Sequence, residues 1–153
     1  MMQRFLNARN PCQGNHTRVL CVCSAGLRRS QTLAWVLSNP PYNCNTRAAG
    51  SVFEYALIPV DEVLIEWADH LLFANSENMQ DIKRAFGDAL TDRDTQMWCL
   101  ELPDRFLYRD PKLVELIPAA LEKCGLAKVL GVVDTVKEVS AAPVKQRKRK
   151  AAK

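Results

Sequence analysis

The sequence predicts an α/β fold, a single domain in which helices flank both faces of a four-stranded parallel sheet. Strand-like apolar segments alternate with segments of helical periodicity in the order β-α-β-α-β-α-β-α, which is typical of parallel sheets. The first strand candidate is apolar almost throughout, as expected for a strand covered on both faces. With 153 residues, 48% of them hydrophobic, the chain is long enough to enclose one core.

Two strands and two helices are predicted in the first half of the domain. The apolar run Arg18–Cys23 is the first strand, and residues 28–38 form a helix because apolar side chains recur there at helical spacing. The Asn-Pro-Pro sequence that follows ends this helix. Residues 45–49 are a short second strand ending at a glycine, and residues 60–67 form a helix with acidic side chains toward solvent.

Two further strands and two further helices complete the alternation. Residues 70–74, HLLFA, are the third strand and residues 96–102, QMWCLEL, are the fourth, with a helix over residues 77–86 between them. After the loop PDRFLYRD, the helix Pro111–Cys124 begins at a proline and stops at Gly125, in agreement with the positional preferences of these two residue types.

The segments outside this domain, which spans residues 18–125, differ from it in composition. Residues 1–17 are polar and aperiodic and predict a flexible arm, and residues 126–140 are interpreted as a C-terminal helical extension. Residues 141–153 contain six of the 21 Lys and Arg residues and no acid, which predicts a disordered basic tail. We expect this tail to contact nucleic acid, or to serve as a solubilising end or a localisation signal.

Composition also indicates the compartment and excludes some kinds of site. No apolar run approaches the ~18–20 residues of a membrane span, and the N-terminus lacks the apolar core of a secretory signal. We therefore expect a cytoplasmic protein without a membrane partner, whose six cysteines are mostly buried thiols. There is no C-x2-C pair, and the two histidines lie in unrelated contexts, so neither a metal site nor a cofactor is predicted.

The turn between the first strand and the first helix has the pattern of an anion-binding loop. It reads CSAGLRRS, a cysteine followed by five residues, an arginine and a serine. A strand-loop-helix turn directs backbone N–H groups at an anion, and the helix N-terminus adds partial positive charge. The small residues Ala25 and Gly26 let this backbone come close and take positive φ. The predicted phosphate-binding loop comprises Ser24, Ala25, Gly26, Leu27, Arg28 and Arg29.

Three side chains of this turn have separate predicted roles. The loop dipoles favour the thiolate of Cys23, which would attack phosphorus and form a phosphocysteine that water hydrolyses. The planar guanidinium of Arg29 can hold two phosphoryl oxygens, which lysine cannot. Ser30 can donate a hydrogen bond to the thiolate. A buried cysteine next to a surface arginine would show the same letters, but the position between an apolar strand and a helix favours the catalytic interpretation, whereas Cys21 is predicted to be core.

The order of motifs resembles the low-molecular-weight protein tyrosine phosphatase family, and in particular a compact bacterial and phage branch of it. The cysteine-arginine loop follows the first strand, TRAAG at 46–50 resembles the second-strand SAG, and WADHLLFA at 67–74 resembles the family's third strand. The stretch LELPDRFLYRDPKLVELI at 100–117 resembles the LDIPDDY…MDPELVELL of the compact branch. The resemblance implies a metal-independent phosphatase that acts on phosphorylated proteins, most of all on phosphotyrosine.

Three positions depart from the family pattern. Gly26 and Ala48 stand where relatives have an asparagine and a serine that brace the loop by hydrogen bonds, so the resemblance implies a less rigid loop here. Arg28 replaces a cysteine that forms a protective disulfide with the nucleophile in many relatives. That redox protection is expected to be absent, unless Cys21 supplies it.

Cleavage of a phosphate monoester requires a proton for the leaving oxygen, and Asp94, Asp104 and Asp110 are candidate donors. We favour Asp104, whose distance ahead of the last helix matches the family's usual spacing. Asp110 is the alternative, because the family's acid is usually followed by proline, although an aspartate before a proline is also an N-cap pattern. Phe106 and Tyr108 are assigned as a wall for a ring-shaped substrate, with a place in the core as their other interpretation.

Two alternatives to a phosphatase remain open. An arsenate reductase on the same scaffold would need further cysteines to resolve its intermediate, for which Cys12 and Cys44 are the candidates. A catalytically weak phosphate-binding module would use the basic tail to reach a nucleic acid or a protein partner, and the two missing braces favour it.

Overall fold

Four parallel strands form one sheet in the order β2-β1-β3-β4 in the computed structural model, which describes residues 15–92 and 96–131. The strands are β1 (Arg18–Cys23), β2 (Asn45–Gly50), β3 (His70–Phe73) and β4 (Met97–Cys99). The helices are α1 (Arg29–Ser38), α2 (Glu62–Trp67), α3 (Ser76–Phe86), α4 (Pro111–Cys124) and α5 (Leu126–Val129), and a 3-10 helix (Gly87–Leu90) follows α3. This topology confirms the predicted single-domain α/β fold.

Strand β1 lies inside the sheet and pairs with β2 on one side and with β3 on the other. In this register Cys23 lies beside Gly50 of β2, and Val22 lies beside Phe73 of β3. The loop after β1 therefore begins between the ends of both neighbouring strands. Ligands of open parallel sheets bind at this carboxyl edge.

Helices cover both faces of the sheet, as predicted. Helices α1, α4 and α5 pack on one face through Leu33, Ile117 and Leu126. Helices α2 and α3 pack on the other face through Leu64 and Ile82. Successive side chains of β1 enter alternate cores because a strand is pleated, and this explains why both faces of β1 are apolar.

Local capping sets the helix boundaries. The Asp61 carboxylate accepts a hydrogen bond from the Leu64 N–H at 2.9 Å, so α2 begins at Glu62, two residues later than predicted. Helix α4 begins and ends at the predicted residues. Its C-terminal end is set by Gly125, which adopts a left-handed conformation with a φ of 98°.

The fourth strand is shorter than the predicted 96–102. It ends at Cys99 because Glu101 has a φ of 58°, a conformation that no strand residue adopts, and the chain there leaves the ladder. The Leu102 N–H then donates to the Ala74 carbonyl at 2.7 Å, just beyond the end of β3. The segment that follows β4 is thereby directed toward the loop that follows β1.

The terminal predictions fall mostly beyond the described residues. Helix α5 occupies the start of the extension predicted over 126–140. Residues 1–14 and 132–153, which include most of the predicted arm and the whole basic tail, lie outside the part that the structure describes. Within the described part, no helix has the length and apolar composition needed to cross a membrane.

Two glycines let the loop after β1 lie directly on the end of β2. A Cβ atom at Gly50 would lie 2.6 Å from the Ser24 carbonyl oxygen and 2.8 Å from the Ala25 carbonyl carbon. A Cβ atom at Gly26, which has a φ of 76°, would lie 2.9 Å from the Gly50 nitrogen. All three of these atoms belong to the backbone. A side chain at Gly26 or Gly50 would therefore push the loop off the sheet.

Gly50→Ala should therefore lower the free energy of unfolding by about 1–3 kcal/mol, the usual cost of overpacking. Gly87→Ala is the matched control: a Cβ there meets nothing within 4 Å, and its φ of −48° suits alanine. We expect Gly87→Ala to be neutral or to stabilise by up to about 1 kcal/mol. Urea unfolding of both variants measures the difference, and a Gly50→Ala protein as stable as the wild type would contradict the close packing.

Candidate active site

Cys23 ends β1 at the carboxyl edge of the sheet, and its side chain is buried. The Ser30 Oγ lies 3.2 Å from the Cys23 Sγ, and the Gly26 N–H donates to the same sulfur at 3.3 Å. A neutral thiol donates to the Ser30 oxygen, whereas a thiolate accepts from the Ser30 hydroxyl and from the Gly26 N–H. Cysteine is a nucleophile in its thiolate form, and both of these groups can donate to that form.

The carbonyl groups from Cys23 to Gly26 are hydrogen-bonded to groups outside the loop. Four successive carbonyls accept outside the loop: Cys23 from the Ser51 N–H at 2.8 Å, Ser24 from the Val52 N–H at 3.1 Å, Ala25 from the Leu57 N–H at 3.1 Å, and Gly26 from the Gln31 Nε2 at 3.3 Å. Because the C=O and N–H of one peptide unit point in opposite directions, we infer that the N–H groups of residues 24–27 point inward, as the Gly26 N–H does toward the Cys23 sulfur. The result is the concave set of donors that binds anions.

The backbone of this loop reverses at one residue. Gly26 has the predicted positive φ, whereas the prediction that Ala25 shares it is wrong, since Ala25 keeps a negative φ. Only glycine adopts the left-handed region without a steric penalty, so the reversal is confined to Gly26 and Ala25 contributes only its small size.

Arg29 is the first residue of α1, and its side chain is only 2% exposed. Its Nη1 donates to the Leu102 carbonyl at 3.3 Å, its Nε lies 3.4 Å from the Asp104 Oδ1, and its Nη2 makes a long contact of 3.5 Å with the Ser24 Oγ. A buried charge needs such partners. The neighbouring Arg28 is exposed, and within the described residues its guanidinium makes no hydrogen bond or ion pair.

A pocket of about 200 Å³ brings these groups together. Its lining residues are Cys23, Ser24, Ala25, Leu27, Arg28, Arg29, Tyr55 and Asp104. The volume is below the ~300–1,000 Å³ of sites for drug-sized ligands, so the pocket suits a phosphoryl group with part of its substituent. Tyr55 was not predicted, although an aromatic residue in the loop that follows the second strand is a signal that points to this edge of the sheet.

The two candidate acids have different surroundings. Asp104 lines the pocket next to Arg29, and its side chain is 63% exposed. The Asp110 carboxylate accepts from the Lys112 N–H at 2.9 Å and caps α4. Asp110 does not line the pocket. Asp94 lies outside the described residues.

The predicted substrate wall lies elsewhere. Phe106 is buried in the core with Leu102 and Leu113, and Tyr108 is exposed but does not line the pocket. The aromatic side chain at the pocket is that of Tyr55, which is 60% exposed. The direction of a side chain in an aperiodic loop depends on what the loop packs against, which the sequence does not show.

The segment that contains Asp104 is anchored to α1. The Thr32 Oγ1 accepts from the Arg109 N–H at 2.9 Å and donates to the Arg28 carbonyl at 2.7 Å. The Arg109 guanidinium lies 3.8 Å above the centre of the Trp35 ring, a cation–π contact. These contacts connect the Asp104 loop to the helix that begins at the phosphate-binding loop.

Side chains from outside the loop hold it at Ser24. The Asn78 Nδ2 of α3 donates to the Ser24 Oγ at 3.2 Å and to the Ser51 Oγ at 3.0 Å. The Ser51 hydroxyl in turn donates to the Asp81 Oδ2 at 2.9 Å. Sequence reasoning missed these residues, because a polar residue in the first turn of a helix also fits a capping role.

The other thiols near the first strand are poor nucleophiles. Burial, with contributions from the neighbouring Cys44 and Cys23, raises the pKa of the Cys21 thiol well above its usual value. Burial also raises the pKa of Cys44 to about 12. Cys12 lies outside the described residues. No group of three or more His, Cys, Asp or Glu side chains in the described part could hold a metal ion.

The fold is shared with solved structures. A YwlE mutant from Bacillus subtilis superposes with a TM-score of 0.51 at 20% identity, covering 74% of this chain and 98% of that chain. The YwlE arginine phosphatase from Geobacillus stearothermophilus superposes with a TM-score of 0.48 at 17% identity, covering 86% and 99%. No family model and no curated protein matches the chain. The Bacillus structure confirms the predicted fold over nearly its whole length.

Arg29→Lys should weaken the binding of inorganic phosphate about tenfold or more, because an ammonium group cannot make two parallel bonds to a phosphate and cannot replace the guanidinium contacts. Arg28→Lys makes the same chemical change in an exposed neighbour and should alter the affinity by less than about twofold. Calorimetric titration of both variants with phosphate makes the comparison. A larger loss in Arg28→Lys would identify Arg28 as the ligand.

Proposed function

We propose that the protein is a cysteine-dependent phosphatase that hydrolyses phosphate monoesters through a phosphocysteine intermediate, with phosphotyrosine in proteins as its substrate. One observation carries the proposal: the Cys23 sulfur, which accepts from the Gly26 N–H, lines a single pocket together with the buried Arg29 guanidinium and the Asp104 carboxylate. The motifs at 46–50, 67–74 and 100–117, which resemble those of the compact low-molecular-weight tyrosine phosphatases, also support the proposal.

In the first step, the phosphoryl group lies in the loop, and its equatorial oxygens accept from the N–H groups of residues 24–27 and from Arg29. The Cys23 thiolate attacks phosphorus on the side opposite the leaving oxygen. The S–P bond forms as the P–O bond breaks, and the Asp104 carboxyl donates its proton to the departing oxygen. Arg29 and the loop donors stabilise the charge that develops in the transition state.

In the second step, a water molecule attacks the phosphorus of the phosphocysteine. The Asp104 carboxylate, now deprotonated, accepts a proton from that water, so the acid of the first step is the base of the second. The S–P bond breaks and the electron pair returns to Cys23. The Ser30 hydroxyl, 3.2 Å from the sulfur, donates to the departing thiolate and stabilises it.

The mouth of the pocket favours an aromatic substituent over a cationic one. Leu27 and Tyr55 line it with exposed apolar surface, against which a phenol ring can pack. Arg28 adds a positive charge at the same mouth. A phosphorylated arginine would bring its own guanidinium beside Arg28, and like charges at short range repel. Because the Geobacillus protein is an arginine phosphatase by name, phosphoarginine is the alternative against which the tyrosine proposal is tested.

The two other functions raised by the sequence gain no specific support. Arsenate reduction requires a second reactive thiol, and Cys23 is the one cysteine that lines the pocket among the described residues. The missing braces favour a weak binding module, but Asn78 holds the loop at Ser24 by a hydrogen bond. A phosphorylated protein is thus the proposed partner, while nucleic-acid contact through residues 141–153 and a cytoplasmic location stay predictions.

Cys23→Ser should abolish turnover of p-nitrophenyl phosphate and keep the binding of inorganic phosphate, because a serine hydroxyl stays protonated at neutral pH while the loop donors remain. Cys99→Ser is the matched control, since it makes the same atomic change in a half-buried thiol that does not line the pocket. Assays in EDTA measure both variants. Turnover by Cys23→Ser within tenfold of the wild type would contradict the mechanism. The same assay with peptides should rank phosphotyrosine above phosphoserine and phosphoarginine.

Asp104→Asn and Asp110→Asn together identify the acid. Asp104→Asn should lower kcat on phenyl phosphate by about 10²–10⁴-fold, the usual contribution of general acid catalysis. Its loss on p-nitrophenyl phosphate should be smaller, because nitrophenolate leaves without protonation. Asp110→Asn should keep both activities, since asparagine caps a helix as well as aspartate does. A leaving-group-dependent loss in Asp110→Asn, with Asp104→Asn unaffected, would reverse the assignment.

A further inference from the structure

A row of polar side chains connects α3 to the phosphate-binding loop. The Asp81 Oδ2 accepts from the Ser51 hydroxyl at 2.9 Å, the Ser51 Oγ accepts from the Asn78 Nδ2 at 3.0 Å, and the same Nδ2 donates to the Ser24 Oγ at 3.2 Å. Asn78 is 1% exposed and Ser51 is also buried. We call Asp81, Ser51 and Asn78 the relay.

The carboxylate at the far end fixes the direction of every hydrogen bond in the relay. An ionised carboxylate can only accept, so the single hydroxyl proton of Ser51 points to Asp81. Ser51 therefore presents a lone pair to Asn78, and Asn78 must face it with its NH2 group. The Arg84 Nη1 lies 3.3 Å from the other carboxylate oxygen of Asp81, Oδ1.

The second N–H of the Asn78 amide then determines where the hydroxyl proton of Ser24 can point. Its Oγ accepts from the Asn78 Nδ2 at 3.2 Å and, over a long 3.5 Å contact, from the Arg29 Nη2. A hydroxyl oxygen has two lone pairs and one proton, so both acceptor sites of Ser24 are engaged by the protein. The Ser24 proton is left to donate, and Ser24 lines the pocket.

We propose that the Ser24 hydroxyl is a phosphate ligand, and that Asp81, Ser51 and Asn78 are positioning residues that direct its proton into the pocket. The proposal rests on the proposed function, since it concerns the same phosphate. It adds a side-chain donor to the backbone donors of the loop, and it assigns a role to three residues outside the loop.

The nitrogen and the oxygen of the Asn78 side-chain amide have different surroundings, and this difference supports the assignment. Its Nδ2 serves two oxygens, whereas its Oδ1 is buried and accepts no hydrogen bond from the described residues. A buried acceptor without a donor is unfavourable and rare in native proteins. An apolar residue at position 78 would fill the same space without burying an unpaired oxygen. The function of the Asn78 amide is therefore to supply the two N–H donors of Nδ2.

The test measures phosphate affinity by calorimetry, without turnover. Ser24→Ala should weaken binding of inorganic phosphate about tenfold, the range of a hydrogen bond to a charged group, while Ser24→Thr keeps the hydroxyl and should stay within about threefold of the wild type. Asn78→Ala should cause a similar loss through misdirection of the Ser24 proton. In the Ser24→Ala background, Asn78→Ala should cause no further loss, because its effect passes through that hydroxyl.

A purely structural role would give a different pattern. Losses that add in the double variant would show that Asn78 acts through the backbone, and an unchanged affinity in Ser24→Ala would remove Ser24 as a ligand; either result overturns the proposal. If Asn78→Ala fails to fold, as thermal unfolding would show, Asp81→Asn replaces it in the same cycle, since Asp81 is partly exposed and an amide there no longer fixes the direction. A wild-type protein that binds no phosphate would instead overturn the proposed function itself.

Discussion

One buried guanidinium is the constraint on which the site depends. Arg29 lies at the start of α1 with almost no solvent contact, and a charge removed from water is unfavourable unless polar groups surround it. Its partners are the Ser24 hydroxyl within the loop, the Leu102 carbonyl and the Asp104 carboxylate. The last two lie more than 70 positions further along the chain. Satisfying this single side chain therefore brings the segment after β4 against the loop after β1, and the pocket is the space between them.

A turn in the backbone after β4 brings the Leu102 carbonyl to Arg29. Glu101 adopts a φ of 58°, a strained conformation for a residue with a side chain, and such strain is concentrated at functional sites. Two hydrogen bonds hold it: the Ser76 N–H donates to the Glu101 carboxylate at 3.2 Å, and the Leu102 N–H donates to the Ala74 carbonyl at 2.7 Å. The turn ends β4 early, and it leaves the Leu102 carbonyl free to accept from the guanidinium.

Local signals in the sequence were sufficient to predict the fold and the strand-loop-helix turn that contains Cys23 and Arg29. The apolar run of β1, the cysteine-arginine spacing after it, and the proline and glycine that bound α4 each depend on a few neighbouring residues, and each structure follows its prediction. The substrate wall and the braces depend on contacts between distant segments. Phe106 enters the core, Tyr55 reaches the pocket from the loop after β2, and Asn78 approaches from α3. A single sequence shows residue types at these positions, and not which way the side chains face.

The expectation of a less rigid loop considers two side chains only, and it stays a prediction. It is based on the glycine at position 26 and the alanine at position 48, where relatives have an asparagine and a serine. The loop is supported by other means: four successive carbonyls accept hydrogen bonds from outside it, and Asn78 holds Ser24. The glycine at position 26 is itself part of that support, because a side chain there would collide with the Ala49 and Gly50 backbone at 2.9 Å. Glycine at position 26 cannot make the hydrogen bonds of an asparagine side chain. It does, however, permit the close contact between the loop and the end of β2 on which the other hydrogen bonds depend.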